Sequence, residues 1–398
     1  MIRHILRLMW NRKRSLVWIF IEQVFVFGVM LFCFTVLSDT IFRHYSKGTV
    51  QTDNVVTLDF EKFDKEDQTE DDAEANRASF NNMVEAMKEW PSVELISIGR
   101  GGATPGSNSD SFSFDTITFN GQGIRSSVKY CDENYYKMFS PTLKEGAWFR
   151  DSDAFLDTPP VVVTQRLIDR ADFTGSAVGQ TIFYNGRTYR ITGVVEAYKD
   201  RPTENQLTVL FVPATLSPGD IRWDYMVKHK QGLGSDFSKA FMAEFYRNFP
   251  RDQFQPQFIE IYKFFVQLSF IQFTLKVSLL AIPTAFLLIF AFMGTFGVVW
   301  MQTKKRTSEM GLRIAMGCTP ARLMLTVILE NLILTTIAML PGLIVVFFLY
   351  IFDPEGWEWS AAVGAAVVFM WLFSIISAWY PAWKAAKVQP VEALKSNQ

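Results

Sequence analysis

The sequence has little of the chemistry that builds metal centres, disulfide scaffolds or nucleotide sites. It contains three cysteines and three histidines in 398 residues. Three cysteines cannot form a disulfide framework, and His4, His44 and His229 are too scattered to give a metal-ligand spacing. No phosphate-binding G-x-x-x-x-G-K-[ST] loop occurs, and no local motif joins a nucleophile to a base. We therefore predict no catalytic residue, no metal and no cofactor.

An excess of charge of either sign is also missing, because 39 basic residues oppose 40 acidic ones. A nucleic-acid-binding protein would normally carry a strong basic excess, so we expect no nucleic-acid partner. The 37 phenylalanines, 12 tyrosines and 11 tryptophans argue against disorder, since disordered chains are poor in aromatic side chains.

Long apolar runs are what the sequence has in excess. Four of them are at least 22 residues long, and only the first contains a charge, Glu22. A bilayer core needs about 20 apolar residues, so we predict four transmembrane helices, with Pro341 interrupting the third and Pro381 closing the fourth. The predicted helices are residues 15–37, 277–301, 331–352 and 360–383. A cleaved signal peptide is the alternative for the first run, but its apolar part exceeds the usual length of about 7–15 residues.

Charge placement orients these helices. The segments 1–14, 302–330 and 384–398 together carry 13 basic and three acidic residues, whereas the short loop 353–359 carries three acids and no base. Because Lys and Arg accumulate on the cytoplasmic side, we expect both termini in the cytoplasm. The segment 38–276 then lies outside.

The outer segment 38–276 holds 26 basic and 33 acidic residues and is long enough for its own core. Strands are predicted at 54–60, 93–98, 161–164 and 207–213, a helix at 79–90, and a hairpin over 181–195 around Asn185-Gly186. The acidic stretch 59–76 lacks the spacing of a calcium loop and is predicted to be solvated. The glycine-rich stretch 98–106 is predicted to be a flexible loop. The fold class is an α-helical membrane protein with four transmembrane helices and a large α+β domain between helices 1 and 2.

Three segments carry a family resemblance. They are NRKRSLVWIFIEQVFVFGVML at the first helix, KKRTSEMGLRIAMGCTPARLMLTVILEN at 304–331 and WYPAWKAAKVQPVEALKS at 379–396. Together they resemble the FtsX/MacB permease family, the membrane subunits of type VII ABC systems. The outer segment is similar to the MacB-like periplasmic core domain, since NVVTLDF, PSVELISI, YCDENYYKMFSPTLKEGAWF and LTVLFVP occur in the family's order.

The resemblance implies a site in the segment 302–330. Its E-x-G-x-R-x-x-x-G pattern implies a short cytoplasmic helix that rests in a cleft of a partner ATPase. Small residues would allow close approach and arginines would supply charged contacts. The residues are Arg306, Glu309, Gly311, Arg313 and Gly317. The alternative is a basic loop that meets anionic lipid.

Three further features of the sequence each allow more than one interpretation. The tail 384–398 and its motif residues Pro381, Lys384 and Pro390 fit either membrane anchoring or ATPase contact. The pattern of residues 1–14 fits an amphipathic interfacial helix and also a topology signal. Glu22 is expected to make an interhelical hydrogen bond or to be protonated, with a proton or substrate role as the alternative.

The resemblance implies a non-catalytic permease subunit of the bacterial inner membrane. Its implied partners are a cytoplasmic ABC ATPase on a separate chain, a second identical or different permease subunit, the bilayer and, in export systems, a periplasmic adaptor and an outer-membrane channel. ATP hydrolysis would then drive a conformational change of the periplasmic domain, with export from the periplasm. A regulator of cell-wall hydrolases and a lipoprotein-releasing permease are the alternatives, because both share the layout.

Overall fold

The computed structural model describes residues 13–63, 70–106, 114–217, 223–352 and 359–387. Most of the predicted N-terminal amphipathic helix, most of the loop 353–359 and the tail from residue 388 onward, with Pro390, lie outside these ranges. The chain divides into an outer unit, Arg43–Phe273, and a membrane unit made of Met1–Phe42 and Thr274–Gln398.

Nine α-helices lie in the described ranges. In chain order they are α1 (Lys13–Tyr45), α2 (Glu70–Ala86), α3 (Asn134–Phe139), α4 (Gln165–Arg170), α5 (Gly234–Asn248), α6 (Gln267–Lys305), α7 (Thr307–Ala315), α8 (Pro320–Phe352) and α9 (Trp359–Ala386). Four of them, α1, α6, α8 and α9, are long and apolar enough to cross a membrane. The four predicted apolar runs lie inside these helices, so the prediction of four transmembrane helices is confirmed.

Proline does not end any of the long helices. The prediction that Pro341 interrupts the third and Pro381 closes the fourth is wrong, because α8 continues to Phe352 and α9 to Ala386. Membrane helices tolerate proline, since neighbouring helices and hydroxyl side chains satisfy the freed backbone groups. Next to Pro341, a Cβ on Gly342 would lie 2.8 Å from ring carbons of Phe27. This glycine therefore allows α1 and α8 to pack closely.

Buried hydrogen bonds join α8 to α9 within the apolar part of the membrane unit. The Asn331 amide donates to the Ser374 carbonyl at 3.0 Å and to its Oγ at 2.9 Å, and Thr335 Oγ1 lies 2.9 Å from the same Oγ. All three side chains are buried. Because hydrocarbon offers no competing water, such bonds fix the pairing of two helices that apolar packing alone leaves free to slide.

Eleven strands lie in the described part of the outer unit. They are β1 (Val55–Lys62), β2 (Val93–Arg100), β3 (Phe114–Phe119), β4 (Gln122–Cys131), β5 (Leu143–Gly146), β6 (Pro160–Thr164), β7 (Thr181–Tyr184), β8 (Arg187–Val195), β9 (Val209–Pro213), β10 (Trp223–His229) and β11 (Phe254–Glu260). The pairings β4-β3-β7-β8-β6-β9-β4 form a closed circuit, and β2-β10-β1-β11 continue from β4 as an open sheet. Each part has its own core, and helices α2 and α5 supply apolar side chains to the core of the open sheet.

The predicted strands and the predicted helix of the outer segment are all present in this unit. The hairpin prediction is confirmed by β7 and β8, because Asn185 and Gly186 both have positive φ angles, of 47° and 73°. Two consecutive left-handed residues define the type I′ turn that matches the twist of paired strands. The acidic stretch continues into α2, where residues 72–75 are exposed, and residues 64–69 lie outside the described ranges.

The glycine-rich stretch is held in place rather than flexible. Residues 101–106 are buried. Lys129 Nζ donates to the Gly102 carbonyl at 2.5 Å, Tyr135 Oη donates to the Ala103 carbonyl at 3.0 Å, and the Ala103 amide donates to Asp224 Oδ2 at 2.9 Å. The prediction of a flexible loop is wrong here, because these contacts come from parts of the chain distant in sequence.

A buried carboxyl fixes the start of α3 against β2. Asp132 accepts hydrogen bonds from Ser97 Oγ at 2.5 Å and from the Ile98 and Tyr135 amides at 3.1 Å each. Burial outweighs these bonds and raises the pKa of Asp132 to about 6. Burial also raises the pKa of Asp151 and Glu204.

These shifts predict an outer unit that gains stability on mild acidification. The folded protein takes up a proton on Asp132 near pH 6, while the unfolded carboxyl, with an ordinary pKa of 3.8, stays ionised. Lowering the pH from about 7 to about 5 should therefore raise the free energy of unfolding. The Asp132→Asn variant should show a flatter dependence, measured by urea unfolding of the whole chain in detergent with tryptophan fluorescence. An equally steep dependence in the variant would contradict the assignment.

Candidate functional site

The segment with the E-x-G-x-R-x-x-x-G pattern forms the short helix α7. Glu309 lies in its first turn and Arg313 in its last turn, which is the placement that the helix dipole favours. Arg313 Nη2 donates to Glu309 Oε1 at 2.6 Å, one turn along the helix. Both side chains are about one third exposed, so this ion pair adds a few tenths of a kcal/mol, roughly 0.3–0.5, and mainly sets side-chain orientation.

Gly317 ends α7 in a Schellman motif. Its φ angle is +92°, its amide donates to the Ile314 carbonyl at 2.9 Å, and the Cys318 amide donates to the Arg313 carbonyl at 2.9 Å. These are the two bonds that define the motif, in which the residue after the cap takes a left-handed conformation. A Cβ at this position would meet no atom within 4 Å. Gly317 is therefore required for its backbone conformation rather than for close packing within the chain.

The two faces of α7 differ sharply. Met310 and Gly311 are buried, and Met310 belongs to an apolar cluster with side chains of α6, α8 and α9. On the other face, Leu312 is 51% exposed and Met316, just after the helix, is 73% exposed. Met310 thus packs α7 against the membrane helices, and the opposite face of α7 exposes a small apolar surface. We call Leu312, Ala315 and Met316 the outward stripe.

Arg306 is held by an internal partner. Its Nη1 donates to Glu330 Oε2 of α8 at 2.5 Å, and both side chains are mostly buried. With Glu309 and Arg313 they line a small cleft between α7 and α8. The structure therefore brings Arg306, Glu309 and Arg313 together in one cleft, where Arg306 fixes α7 to α8.

The sequence interpretation missed the exposed apolar side chains of Leu312 and Met316 and the ion-pair partner Glu330. Leu312, Ala315 and Met316 follow one another at the three- and four-residue spacing of one helix face, and this periodicity is visible in the sequence. The pairing of Arg306 with Glu330 spans 24 residues. It depends on how α8 folds back, which no local pattern specifies.

Glu22 lies against α6. A Cβ on Gly294 would come within 2.5 Å of Glu22 Oε1, so the glycine leaves room for the carboxyl. The adjacent side chains Gln23 and Thr295 are buried, and within the described residues neither has a hydrogen-bond partner. Polar groups of both helices therefore occupy this level of the membrane unit, and a role for Glu22 stays a prediction.

Two of the three tail-motif residues fall within α9. Pro381 is buried inside the helix, and the Lys384 ammonium lies 4.5 Å from the centre of the Trp300 ring of α6. No group of three or more His, Cys, Asp or Glu side chains that could hold a metal ion was found in the ranges that the structure describes.

The chain matches two known domain families, and together they cover most of its length. Residues 25–236, just over half of the chain, match the MacB-like periplasmic core domain, and residues 281–390 match the FtsX-like permease C-terminal domain. The chain belongs to the family of FtsX/MacB-like ABC transporter permeases. The second match covers α7, so the candidate site lies in the permease domain of the family.

Curated proteins of the same family match the chain at low sequence identity. The macrolide export ATP-binding/permease protein MacB of Neisseria gonorrhoeae is 23% identical over 71% of this chain and 45% of its own length. MacB of Campylobacter jejuni is 23% identical over 55% of this chain and 36% of its own. The uncharacterized ABC transporter permease YknZ of Bacillus subtilis is 22% identical over 67% of this chain and 69% of its own. The chain thus spans less than half the length of these MacB relatives.

Two solved structures are similar to part of the chain. The periplasmic region of MacB from Actinobacillus actinomycetemcomitans aligns with a TM-score of 0.36 at 14% identity, over 52% of this chain and 89% of that one. The extracellular domain of YknZ from Gram-positive bacteria aligns with a TM-score of 0.36 at 13% identity, over 51% and 100% of the two chains.

The Schellman motif predicts a graded response to substitution of Gly317. Asparagine tolerates positive φ, whereas valine does not, so Gly317→Val should weaken the end of α7 by about 1 kcal/mol and Gly317→Asn by much less. Hydrogen exchange at the Cys318 amide should become roughly fivefold faster in the valine variant. Equal exchange rates in the wild type and Gly317→Val would contradict the motif.

Proposed function

We propose that the chain is the permease subunit of an ABC transporter of the MacB/FtsX type. A separate cytoplasmic ATPase binds α7, and its conformational cycle is transmitted through the membrane helices to the outer unit. The chain is not itself catalytic. Its work is mechanical transmission that drives export of a substrate from the periplasm.

The two-faced helix α7 is the observation that carries this proposal. Its inner face is fixed by Met310 in the cluster of α6, α8 and α9 and by the Arg306–Glu330 ion pair. A force applied to the outward stripe therefore acts on three membrane helices at once. Exposed apolar side chains flanked by a charged pair also suit a partner surface, since binding energy concentrates in a few well-packed side chains.

The last residues of α1 belong to the outer unit, and a buried lysine of the same unit holds them, which supports transmission along this helix. Lys199 is buried, and its Nζ donates to the Arg43 and Ser46 carbonyls at 2.6 Å each. A cation at the carboxyl end of a helix satisfies free carbonyls and complements the helix dipole. His44 also stacks on Phe273 of α6 at 5.1 Å. Both contacts lie within the outer unit, where α1 ends and α6 begins.

The orientation and the remaining partners follow from charge and family. Basic segments at both termini and around α7 place these parts in the cytoplasm. The permease then works as a homo- or heterodimer in the inner membrane. An adaptor and an outer-membrane channel complete an export assembly.

Substitution of the outward stripe should weaken ATPase binding. Leu312→Asp or Met316→Asp places a charge where apolar contact is needed, and the amount of ATPase that co-purifies should fall by at least about tenfold. Thr319→Asp is the matched control, because it adds the same charge in the same segment at the N-cap position just before α8, where aspartate is favourable. Failure of any P-loop ATPase to co-purify would overturn the proposal. So would intact coupling of ATP hydrolysis after replacement of both Glu309 and Arg313.

Removal of the Lys199 ammonium should uncouple the outer unit without affecting ATPase binding. Lys199→Met keeps the length of the side chain but leaves two carbonyls without their donor. ATP-dependent changes in hydrogen exchange over residues 43–51 should be lost, while the ATPase still co-purifies. Lys47→Met is the control, since Lys47 forms an exposed ion pair with Glu196 in the same region. Unchanged ATP-dependent exchange in Lys199→Met would contradict this role.

A further inference from the structure

Aromatic rings from α6 and α9 meet at the end of the membrane unit where basic residues follow both helices. Trp300 of α6 and Tyr380 of α9 stack with ring centres 5.7 Å apart and planes only 11° from parallel. Trp383 lies 6.0 Å from Tyr380, which extends the group along α9. Two helices that are distant in sequence therefore build one aromatic surface, and we call Trp300, Tyr380 and Trp383 the aromatic platform.

Lysine ammonium groups lie over the rings of this platform. Lys384 Nζ is 4.5 Å from the centre of the Trp300 ring, and Lys387 Nζ is 3.9 Å from that of Trp383. Lys304 Nζ of α6 lies 5.6 Å from the centre of the same Trp300 ring. Ring faces attract cations at these distances, so the platform collects positive charge. In the parts of the chain that the structure describes, Lys384 and Lys387 have no acidic partner.

The exposed side of α9 changes character in one direction along the helix. Leu372 and Ile376 are exposed and aliphatic, Trp379 and Tyr380 are exposed and aromatic, and Lys384 and Lys387 follow. Aliphatic, aromatic and cationic layers succeed one another in the order of hydrocarbon core, interface and headgroup in one leaflet. From residue 372 to residue 387 the helix rises about 22 Å, close to half of the total bilayer thickness of about 40–45 Å.

We propose that the aromatic platform with Lys384 and Lys387 is a binding site for an anionic phospholipid. The phosphodiester accepts hydrogen bonds from the lysines, the glycerol region rests on the tryptophan and tyrosine rings, and the acyl chains lie along Leu372 and Ile376. A zwitterionic phospholipid carries an ammonium group that the lysines repel. The site therefore selects for net negative charge on the headgroup.

A lipid fits this surface better than a protein partner. Lysine is depleted at the centres of protein interfaces, where its desolvation is costly. Lysines at a membrane surface keep their hydration and gain about 1 kcal/mol each from anionic headgroups. The apolar side chains that continue the surface also lie within the predicted membrane span Ala361–Lys384, where a soluble partner has no access.

Lipid retention measures the site directly. The full chain is reconstituted into nanodiscs of phosphatidylcholine with a minor fraction of phosphatidylglycerol. It is then released from the nanodiscs, and the lipids that stay bound to it are identified by native mass spectrometry. The wild type should retain phosphatidylglycerol in preference to phosphatidylcholine. The double variant Lys384→Gln, Lys387→Gln should lose this preference by about thirtyfold, the fold-change that corresponds to about 1 kcal/mol for each lysine.

Three further variants distinguish loss of a specific lipid site from a general loss of positive charge and from misfolding. Lys305→Gln with Arg322→Gln removes two positive charges from the segment between α6 and α8 and should lower retention much less than the platform variant does. Lys384→Arg with Lys387→Arg keeps the charges and should retain the lipid. Trp300→Leu should lower retention by about two- to fivefold, since it removes the ring that Lys384 and Lys304 contact.

Several outcomes would overturn the proposal. Full retention of phosphatidylglycerol by the double glutamine variant would do so, as would an equal loss in the Lys305 and Arg322 control. Displacement of the lipid by inorganic phosphate at matched ionic strength would assign the surface to a free anion. If the double glutamine variant of Lys384 and Lys387 co-purified less ATPase but retained the lipid, the surface would be assigned to ATPase binding instead. Because phosphatidylglycerol is present in both leaflets of the nanodisc, the test does not depend on the proposed ATPase or on the membrane orientation.

Discussion

The structure depends on one constraint, the absence of water from the hydrocarbon core. Backbone N–H and C=O groups in that region must bond to each other, so the four apolar runs can only be helices. The same constraint explains why Pro341 and Pro381 lie inside helices that continue past them. It also explains why polar side chains such as Asn331 and Ser374 bond to one another. Apart from Glu22, the four apolar runs carry no charged side chain, and the proposed functional contacts lie at the helix ends.

Each end of the membrane helices is tied to a different element. At one end, within the outer unit, Lys199 donates to the carbonyls of Arg43 in α1 and of Ser46 just after it. At the other end α7 is fixed through Met310 and the Arg306–Glu330 ion pair. A helix transmits displacement well along its axis, because its hydrogen bonds and packing resist local deformation. In our proposal, motion of a partner at α7 therefore needs no flexible joint to reach the outer unit.

The sequence predicted the membrane helices, six strands and one helix of the outer unit, because periodicity and turn residues are local properties. The Asn185-Gly186 hairpin is an example. Local patterns failed for residues 101–106, which Lys129 and Tyr135 hold from distant strands. In the candidate site, the pattern of Glu309, Arg313 and Gly317 was visible from sequence. The fixation of Arg306 by Glu330 was not, because it depends on the fold of α8.

What the sequence determined by itself is the number of membrane helices, the charge asymmetry and the family motifs, since each follows from the order of side chains along the chain. Only the tertiary structure decided which side chains share a surface. Trp300 and Tyr380 are 80 residues apart in the chain, yet their rings stack. Gly317 likewise shows its backbone role only through its φ angle. Contacts between distant residues depend on how side chains pack, and this packing is determined by the whole core rather than by any one segment.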